Sequence, residues 1–591
     1  MKYINSKLVG RKIIIHTKHA LCAGAGELVE SNAFKMVVAK SIEALVERNS
    51  ILLELFDHHE IDGTQVDILV DVLRYLTILP KDDIPKIVEG SSHIIEREDM
   101  LFNYVEYLYN FWRSYDRFII CDSKGDELDL HPYRTFNNTI EYLTHLVRKV
   151  YRDIQENITG EHPNIYRQVR AGANFGTIAL SKAIPMPREY SDKLQEVLVI
   201  RQVLLNPPLV LNPPMNKRTG RFVLVDTNPL KRVTLDKGEF VCYPAKVGSL
   251  VILVYIHQRF YELGLSLVNL FEIATDEELL KKPDGIYIYG APPGTIEDIG
   301  EYPTIYYEDK ENDMIIAAVP SKDEFGYFGY LKKMILTLHN VKMIRSGHLP
   351  FHGSMTRIVL QEGGDFVVLL IGDTGAGKSE TLEAFREIGE ELISDIIVVA
   401  DDMGSLTYDK EGNVIGHGTE VGAFLRLDDL SPSVAFGQID RAIFMSPGRT
   451  NTRIVIPITS LHHVLEGYKV DIVLYANNYQ QVDEDHPIID RFESVDEALA
   501  VFKEGKVMSK GTTTSTGIVQ SYFANIFGPP DYKEHHDMLA REFFTKLIEN
   551  GIFIGQLRTR LGMKGYEQAG PMAAAEALIE LFGDKKGKRD S

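Results

Sequence analysis

FVVLLIGDTGAGKSETLEAF, residues 366–385, decides how the C-terminal half of the chain is read. Phe366–Ile371 is a short run without a polar residue, as expected for a strand buried on both faces. Gly372-Asp373-Thr374-Gly375-Ala376-Gly377-Lys378-Ser379 follows and fits the pattern G-x-x-x-x-G-K-[ST]. The next stretch, SETLEAFREIGEEL, is compatible with a helix. Glycines in that position let successive backbone amides turn inward around the β- and γ-phosphates of a nucleotide, and the helix N-terminus adds its positive end. Lys378 is then placed to reach the terminal phosphates, and the Ser379 hydroxyl to sit on a divalent cation. The stretch predicts nucleoside triphosphate binding and names no reaction.

Working outward, DIIVVADDMG places Asp401 and Asp402 where a second apolar run ends. Active-site carboxylates cluster at such strand C-termini, so these two are candidate cation ligands. From Phe325 the strand–loop–helix texture holds nearly to Leu581. Upstream, RFVLVD, SLVILVYIH and GIYIYG are short β-branched runs, preceded by Pro-rich IPMPREY and NPPLVLNPPMN, which cannot continue helices. Between Asn32 and Tyr151, FKMVVAKSIEALVERNSILLELF and NNTIEYLTHLVRKVYRDI repeat apolar residues at helical spacing. The expected division is a helical region over 1–184, a mixed α/β lobe over 185–324, a nucleotide-binding domain over 325–581 and a disordered basic tail over 582–591. The fold class expected is α/β, with an α+β N-terminal part.

Composition narrows the partners. The 591 residues carry a formal charge of −20 with 44% hydrophobic and 25% charged residues, the balance of a globular protein of more than one domain. The acidic balance argues against sequence-independent nucleic-acid binding, which needs a basic surface. No apolar run approaches the roughly 18–20 residues that cross a bilayer, so no membrane partner is expected. Cys22, Cys121 and Cys242 lie far apart and form neither a disulfide framework nor a zinc set, and the expected location is cytoplasmic.

Several motifs together resemble the phosphoenolpyruvate carboxykinases. YFGYLKKMILTLHN and GHLPFHGSM precede the phosphate loop, and Tyr327, Lys333 and His352 keep the family's spacings: six residues from the tyrosine to the second lysine, and nineteen from there to the histidine. GRTNTRIVIPI is similar to the family's asparagine–threonine–arginine segment, which puts Arg453 on its phosphate- and substrate-binding arginine. EVGAFLRL looks like its Glu-Gly-Gly-Cys-Tyr-Ala-Lys stretch, with Arg426 in place of the γ-phosphate lysine. YFANIFGPPDYKEHHDMLAREFF resembles a segment near the family's C-terminus. KRTGRFVLVD matches the family's Thr-Gly-Arg segment through Thr219, Gly220 and Arg221, which makes Arg221 the implied substrate-carboxylate ligand. The resemblance covers Tyr327 to Gly565. It implies a carboxykinase-like mononucleotide-binding fold, ATP or another nucleoside triphosphate, Mg²⁺ and Mn²⁺, and a small carboxylate substrate. The implied reaction turns oxaloacetate and ATP into phosphoenolpyruvate, CO₂ and ADP.

Under that resemblance Lys333, His352 and Asp402, with Asp401 beside them, hold one cation, and Ser379 a second. Lys378, Arg426 and Arg453 neutralise the transferring charge. A lysine ligates only when neutral, so Lys333 must be depressed by burial and by cations such as Lys332 and Arg453. The loop GDTGAGKSE and the 24 residues from Lys378 to Asp402 look instead like HPr kinase, which shares this core, and KGTTTSTGIV replaces the carboxykinase adenine-side segment. A kinase for a protein or small-molecule hydroxyl, and a non-catalytic ATP-binding regulator, are the alternatives. Asp57-His58-His59-Glu60, Glu534-His535-His536-Asp537 and His462-His463 look like metal sites, but adjacent histidines on a helix point about 100° apart and do not chelate one ion by themselves.

Overall fold

A computed structural model describes residues 5–17, 24–56, 61–122, 130–162, 165, 169–389, 391–429, 439–510, 516–526 and 530–589. The protein is mixed α/β, and no helix among the described residues is long and apolar enough to cross a membrane. It divides into two compact units, residues 1–182 with 198–206, and residues 183–197 with 207–591.

The first unit is not the helical region expected for 1–184. Strands Asn5–Val9, Lys12–Thr17, Asp116–Asp122, Phe175–Leu180 and Leu198–Leu205 lie side by side in that order, parallel from the second to the fourth and antiparallel at either end. Ile13, Ile14, Phe118, Ile119 and Ile120 are almost wholly buried, and a run hidden on both faces carries no alternation to mark it among helices. Helices Asn32–Glu47, Gly63–Leu76, Glu98–Arg113 and Leu130–Thr159 supply most of the remaining apolar side chains of this core. Ser31 and Asp62 cap the first two by accepting from exposed backbone amides, which is why those helices begin where they do.

In the second unit the middle lobe and the C-terminal domain, expected as separate, share one body. One sheet runs Phe240–Val247, Leu250–His257, Gly285–Ala291, Met314–Pro320, Ile305–Asp309 and Val223–Leu224. A second is centred on three parallel strands, Asp365–Ile371, Ile472–Asn477 and Phe553–Arg558. Strand Leu349–Leu360 pairs antiparallel with Asp365–Ile371 on one side and with Ile393–Ala400 and Met403–Tyr408 on the other. A smaller sheet orders Gly422–Arg426, Arg453–Pro457, Ile443–Met445 and Leu209–Leu211. Helix Phe328–Arg345 is buried along almost its whole length, so its sequence shows no polar face.

The last helix runs Ala569–Arg589, where a disordered tail was expected from 582. Phe582 explains the continuation, because its ring stacks on Phe366 at 4.7 Å and on Phe385 at 6.0 Å.

Candidate active site

The three parallel strands end together; the first runs into the glycine-rich loop, and residues just past the other two hold it. Strand Asp365–Ile371 runs into Gly372, and helix Lys378–Ile388 starts from Gly377. Gly375 and Gly377 have φ of +80° and +96°, a region that side chains disfavour. A Cβ at Gly377 would also lie 2.6 Å from Thr559 Oγ1, so both backbone and space require glycine there. From the neighbouring strand ends Asn478 Nδ2 donates to Gly375 O at 2.9 Å and Thr559 Oγ1 to Ala376 O at 2.7 Å. Lys378 is 9% exposed rather than fully exposed, and its ammonium donates to the carbonyls of Gly372 at 2.6 Å and Asp373 at 3.1 Å. Both partners are neutral backbone oxygens.

Opposite the loop, helix Phe328–Arg345 presents two adjacent lysines with different partners. Lys332, 2% exposed, donates to Asp402 Oδ2 at 2.7 Å and lies 3.1 Å from Glu420 Oε1. Burial works against its charge, but Asp402 and Glu420 outweigh that and hold it above the usual lysine range. Burial alone would raise Asp402, yet Lys332 and His352 hold it well below the usual carboxylate range. Glu420, wholly buried, is pushed by burial up to about 8, with Lys332 pulling the other way. Asp401 is raised by burial and by the Asp402 charge. The lysine, two aspartates and glutamate thus form a set in which Asp402 gives up its proton most readily.

Lys333 differs from its neighbour. Burial first, and the Arg218 charge next, lower it from 10.5 to about 8. The cations responsible are Arg218 first and the expected Lys332 after it, rather than Arg453. His352, 2% exposed, sets Nε2 at 2.9 Å from Asp402 Oδ1. Once Lys333 has lost its proton, which lies nearer to hand at about 8 than at 10.5, its amine would join an imidazole and an ionised carboxylate in a mixed nitrogen–oxygen donor set that suits Mn²⁺ or Mg²⁺ better than Ca²⁺, which prefers oxygen ligands alone. That donor set would fit the cation that the resemblance implies.

These walls enclose a cleft of about 480 Å³, in the range of small-ligand sites. Of the predicted residues, Tyr327, Lys333, Thr374, Gly375, Lys378, Ser379, Asp401, Asp402, Arg426 and Arg453 line it. Gly372, Asp373, Ala376 and Gly377 form the loop beneath, and His352 reaches the cleft through Asp402. Seven lining side chains are cationic and three acidic, in a chain of net charge −20, so the cleft is locally electropositive. Arg426 and Arg453 stand directly opposite each other across an antiparallel ladder. Like charges so placed repel unless something offsets them. Asp428 pairs with Arg426 at 2.5 Å, while the Arg453 guanidinium lies 5.3 Å from the Phe424 ring centre and its Nε is buried with no hydrogen-bond partner among the described residues. An anion in the cleft would relieve that repulsion.

Arg221 is elsewhere. It is exposed and paired with Glu301 at 2.5 Å, while Arg218, three residues earlier, lines the cleft. Tyr330 explains the register: its hydroxyl accepts from Thr219 N and donates to Thr219 O, both at 2.9 Å, pinning the turn with Arg218 inward. The arginine before the Thr-Gly pair, rather than the one after it, was the signal in KRTGR. Glu420 was also missed, although it begins the quoted EVGAFLRL, because only the arginine at its far end was followed.

The histidine motifs at 462–463 and 534–537 lie outside the cleft. His536 is buried and donates from Nε2 to Pro350 O at 3.0 Å. His462, His463 and Glu466 bring donor atoms within 4.8 Å of one another, so Glu466 supplies the convergence that two adjacent histidines lack. His462 is 74% exposed, however, and Tyr468 already bonds both His463 and Glu466. Residues 57–60, Cys22 and residues 511–515 of KGTTTSTGIV lie outside the described residues. Comparison of the chain with protein-family models and with curated proteins finds no match.

Proposed function

We propose that the cleft binds a nucleoside triphosphate, with ATP as the first candidate, and Mg²⁺ on residues 372–379, and transfers the γ-phosphoryl group in the manner of a phosphoenolpyruvate carboxykinase, with oxaloacetate as substrate. The observation that carries this reading is that Lys333, lowered by burial and Arg218 to about 8, lines the same cleft as the glycine-rich loop and Asp402, which His352 bonds. A protein that only senses nucleotide has no use for such an amine.

In this reading Lys378 leaves its two loop carbonyls for the β- and γ-phosphates, which offer it charge in place of neutral oxygens. Arg426 and Arg453 take the spreading charge of the transferring group, and their mutual repulsion is relieved as it arrives. Arg218 holds a substrate carboxylate near Lys333. A divalent cation at Lys333, His352 and Asp402 supplies the Lewis acidity that loss of CO₂ from a 2-oxo acid requires. Lys332 and His352 keep Asp402 ionised, and Glu420 helps to hold Lys332 in place.

The loop GDTGAGKSE favours one competitor, an HPr kinase-like enzyme that phosphorylates a hydroxyl. That chemistry needs a base near neutrality. Asp402 is held too low for the role, so Asp401 would have to fill it.

The test is purified protein with ATP, Mg²⁺, Mn²⁺ and oxaloacetate. Phosphoenolpyruvate and CO₂ should form in equal amounts, with oxalate inhibiting as a mimic of the enolate. Transfer of phosphate to another acceptor with no phosphoenolpyruvate under any common nucleotide would replace this reading with the kinase.

A further inference from the structure

The turn Ser521–Asn525 has a backbone that needs an explanation. Phe523, Ala524 and Asn525 have φ of +45°, +56° and +63°, three successive non-glycine residues in the left-handed region. Each is disfavoured on its own, and such a run persists only where its surroundings over-determine it.

The surroundings are visible. Phe523 is 1% exposed and packs its ring 4.8 Å from His536, 6.1 Å from Phe502 and 6.3 Å from Phe544. Gly505, itself at φ +55°, leaves room for the turn, since a Cβ there would lie 1.7 Å from Ser521 O and 3.1 Å from Ala524 N. Ser521 N donates to Gly505 O at 3.1 Å, and Ser521 Oγ reaches Asp373 Oδ2 of the phosphate loop at 3.3 Å.

The strain is directed at one place. The Ala524 carbonyl faces Nδ1 of His352 in a short hydrogen bond. A carbonyl oxygen only accepts, so Nδ1 carries a hydrogen; the ionised Asp402 also only accepts, so Nε2 donates to it here and would exchange that hydrogen for a cation. Two residues earlier on the same strand, Pro350 O accepts from His536 Nε2, and the far side of that ring meets the Tyr522 hydroxyl at 2.9 Å. The turn and His536 therefore bracket residues 350–352, and this gives the buried histidine of EHHD a role that its sequence did not suggest.

We propose that the turn Ser521–Asn525, anchored by Phe523 and admitted by Gly505, is a positioning element that fixes the ring and tautomer of His352 so that Nε2 meets a divalent cation. This rests on the assignment of His352 as a cation ligand. The partner that orients a ligating histidine through its other nitrogen commonly governs affinity by about 10–100-fold.

Two measurements separate the proposal from the reading beneath it. In the metal-free protein, nitrogen NMR of His352 should show Nδ1 protonated with its hydrogen protected from exchange. An unprotonated Nδ1 overturns the positioning role whether or not any cation binds. In Mn²⁺ titrations of the full chain, Gly505→Ala, which pushes the turn from a site outside the cleft, should weaken binding about 10-fold and lose the Nδ1 signature. Phe523→Leu, which shortens the anchor, gives the same comparison should Gly505→Ala not fold. A folded variant that keeps wild-type Mn²⁺ affinity, while His352→Ala loses it, leaves the cation site standing and removes the turn from it. If His352→Ala also binds Mn²⁺ as wild type does, the ligand assignment falls and the proposal falls with it.

Discussion

On one wall of the cleft Lys378 rests on two loop carbonyls; on the other Lys332 is sealed between Asp402 and Glu420. The first arrangement can be exchanged, because a phosphate offers more than a neutral oxygen and the loop that presents it is held by its own backbone and by Asn478 and Thr559. The second cannot, because a buried ion pair that loses one member leaves an uncompensated charge in a poor solvent. Two lysines facing one cleft thus have different duties. One holds neutral partners that a ligand could replace, and the other keeps a neighbouring carboxylate ionised.

The comparison breaks most visibly in stability. Lys332→Met should destabilise the fold by about 3–5 kcal/mol, the usual loss on removing one partner of a buried pair. Lys378→Ala should cost about 1–2 kcal/mol for its two hydrogen bonds. Urea unfolding of both variants checks the order, and equal losses would erase the distinction between the walls.

Ligand binding should reverse that order. Lys378→Ala is expected to lower ATP affinity by about 100-fold, corresponding to about 2.8 kcal/mol. Equilibrium binding of a fluorescent nucleotide measures it, and unchanged affinity would remove the loop from the site.

A smaller contrast lies within KRTGR. Arg218→Met should weaken oxalate binding about 10-fold or more, since a planar charged contact is lost, whereas Arg221→Met should leave it unchanged. Calorimetry on the two variants decides which arginine serves the cleft.

The last contrast is one of pH. Lys333 binds its proton less tightly in the folded chain, at about 8, than at its ordinary 10.5. Between those values the unfolded chain holds more protons, so this residue makes stability rise with pH across the window and plateau above it. Lys333→Met should flatten that rise in unfolding curves taken from pH 8 to pH 10.5. A slope equal to that of wild type would mean that Lys333 is not depressed.

How far the sequence reveals the site depends on whether chemistry or packing places each residue. The phosphate loop is legible because glycines, lysine and serine are consecutive and each has its own reason to be there. Lys333 and His352 are legible only as a spacing, since a lone lysine or histidine says nothing. Arg218 and Glu420 stayed hidden because tertiary contacts select them: Tyr330 fixes which arginine of KRTGR turns inward, and Lys332 fixes why a glutamate is buried before Gly422–Arg426. The strands Lys12–Thr17 and Asp116–Asp122 were lost among helical periodicities for a similar reason, as runs covered on both faces leave no pattern of their own.

Soaking crystals with ATP, Mn²⁺ and oxalate tests most directly whether the two walls act as one site. The account predicts the triphosphate along residues 372–379 with Lys378 on its terminal phosphates, Mn²⁺ on Lys333, His352 and Asp402, and oxalate between that cation and Arg218. Triphosphate bound away from the loop, or oxalate and Mn²⁺ absent from the lysine–aspartate wall while nucleotide occupies the loop, would contradict it.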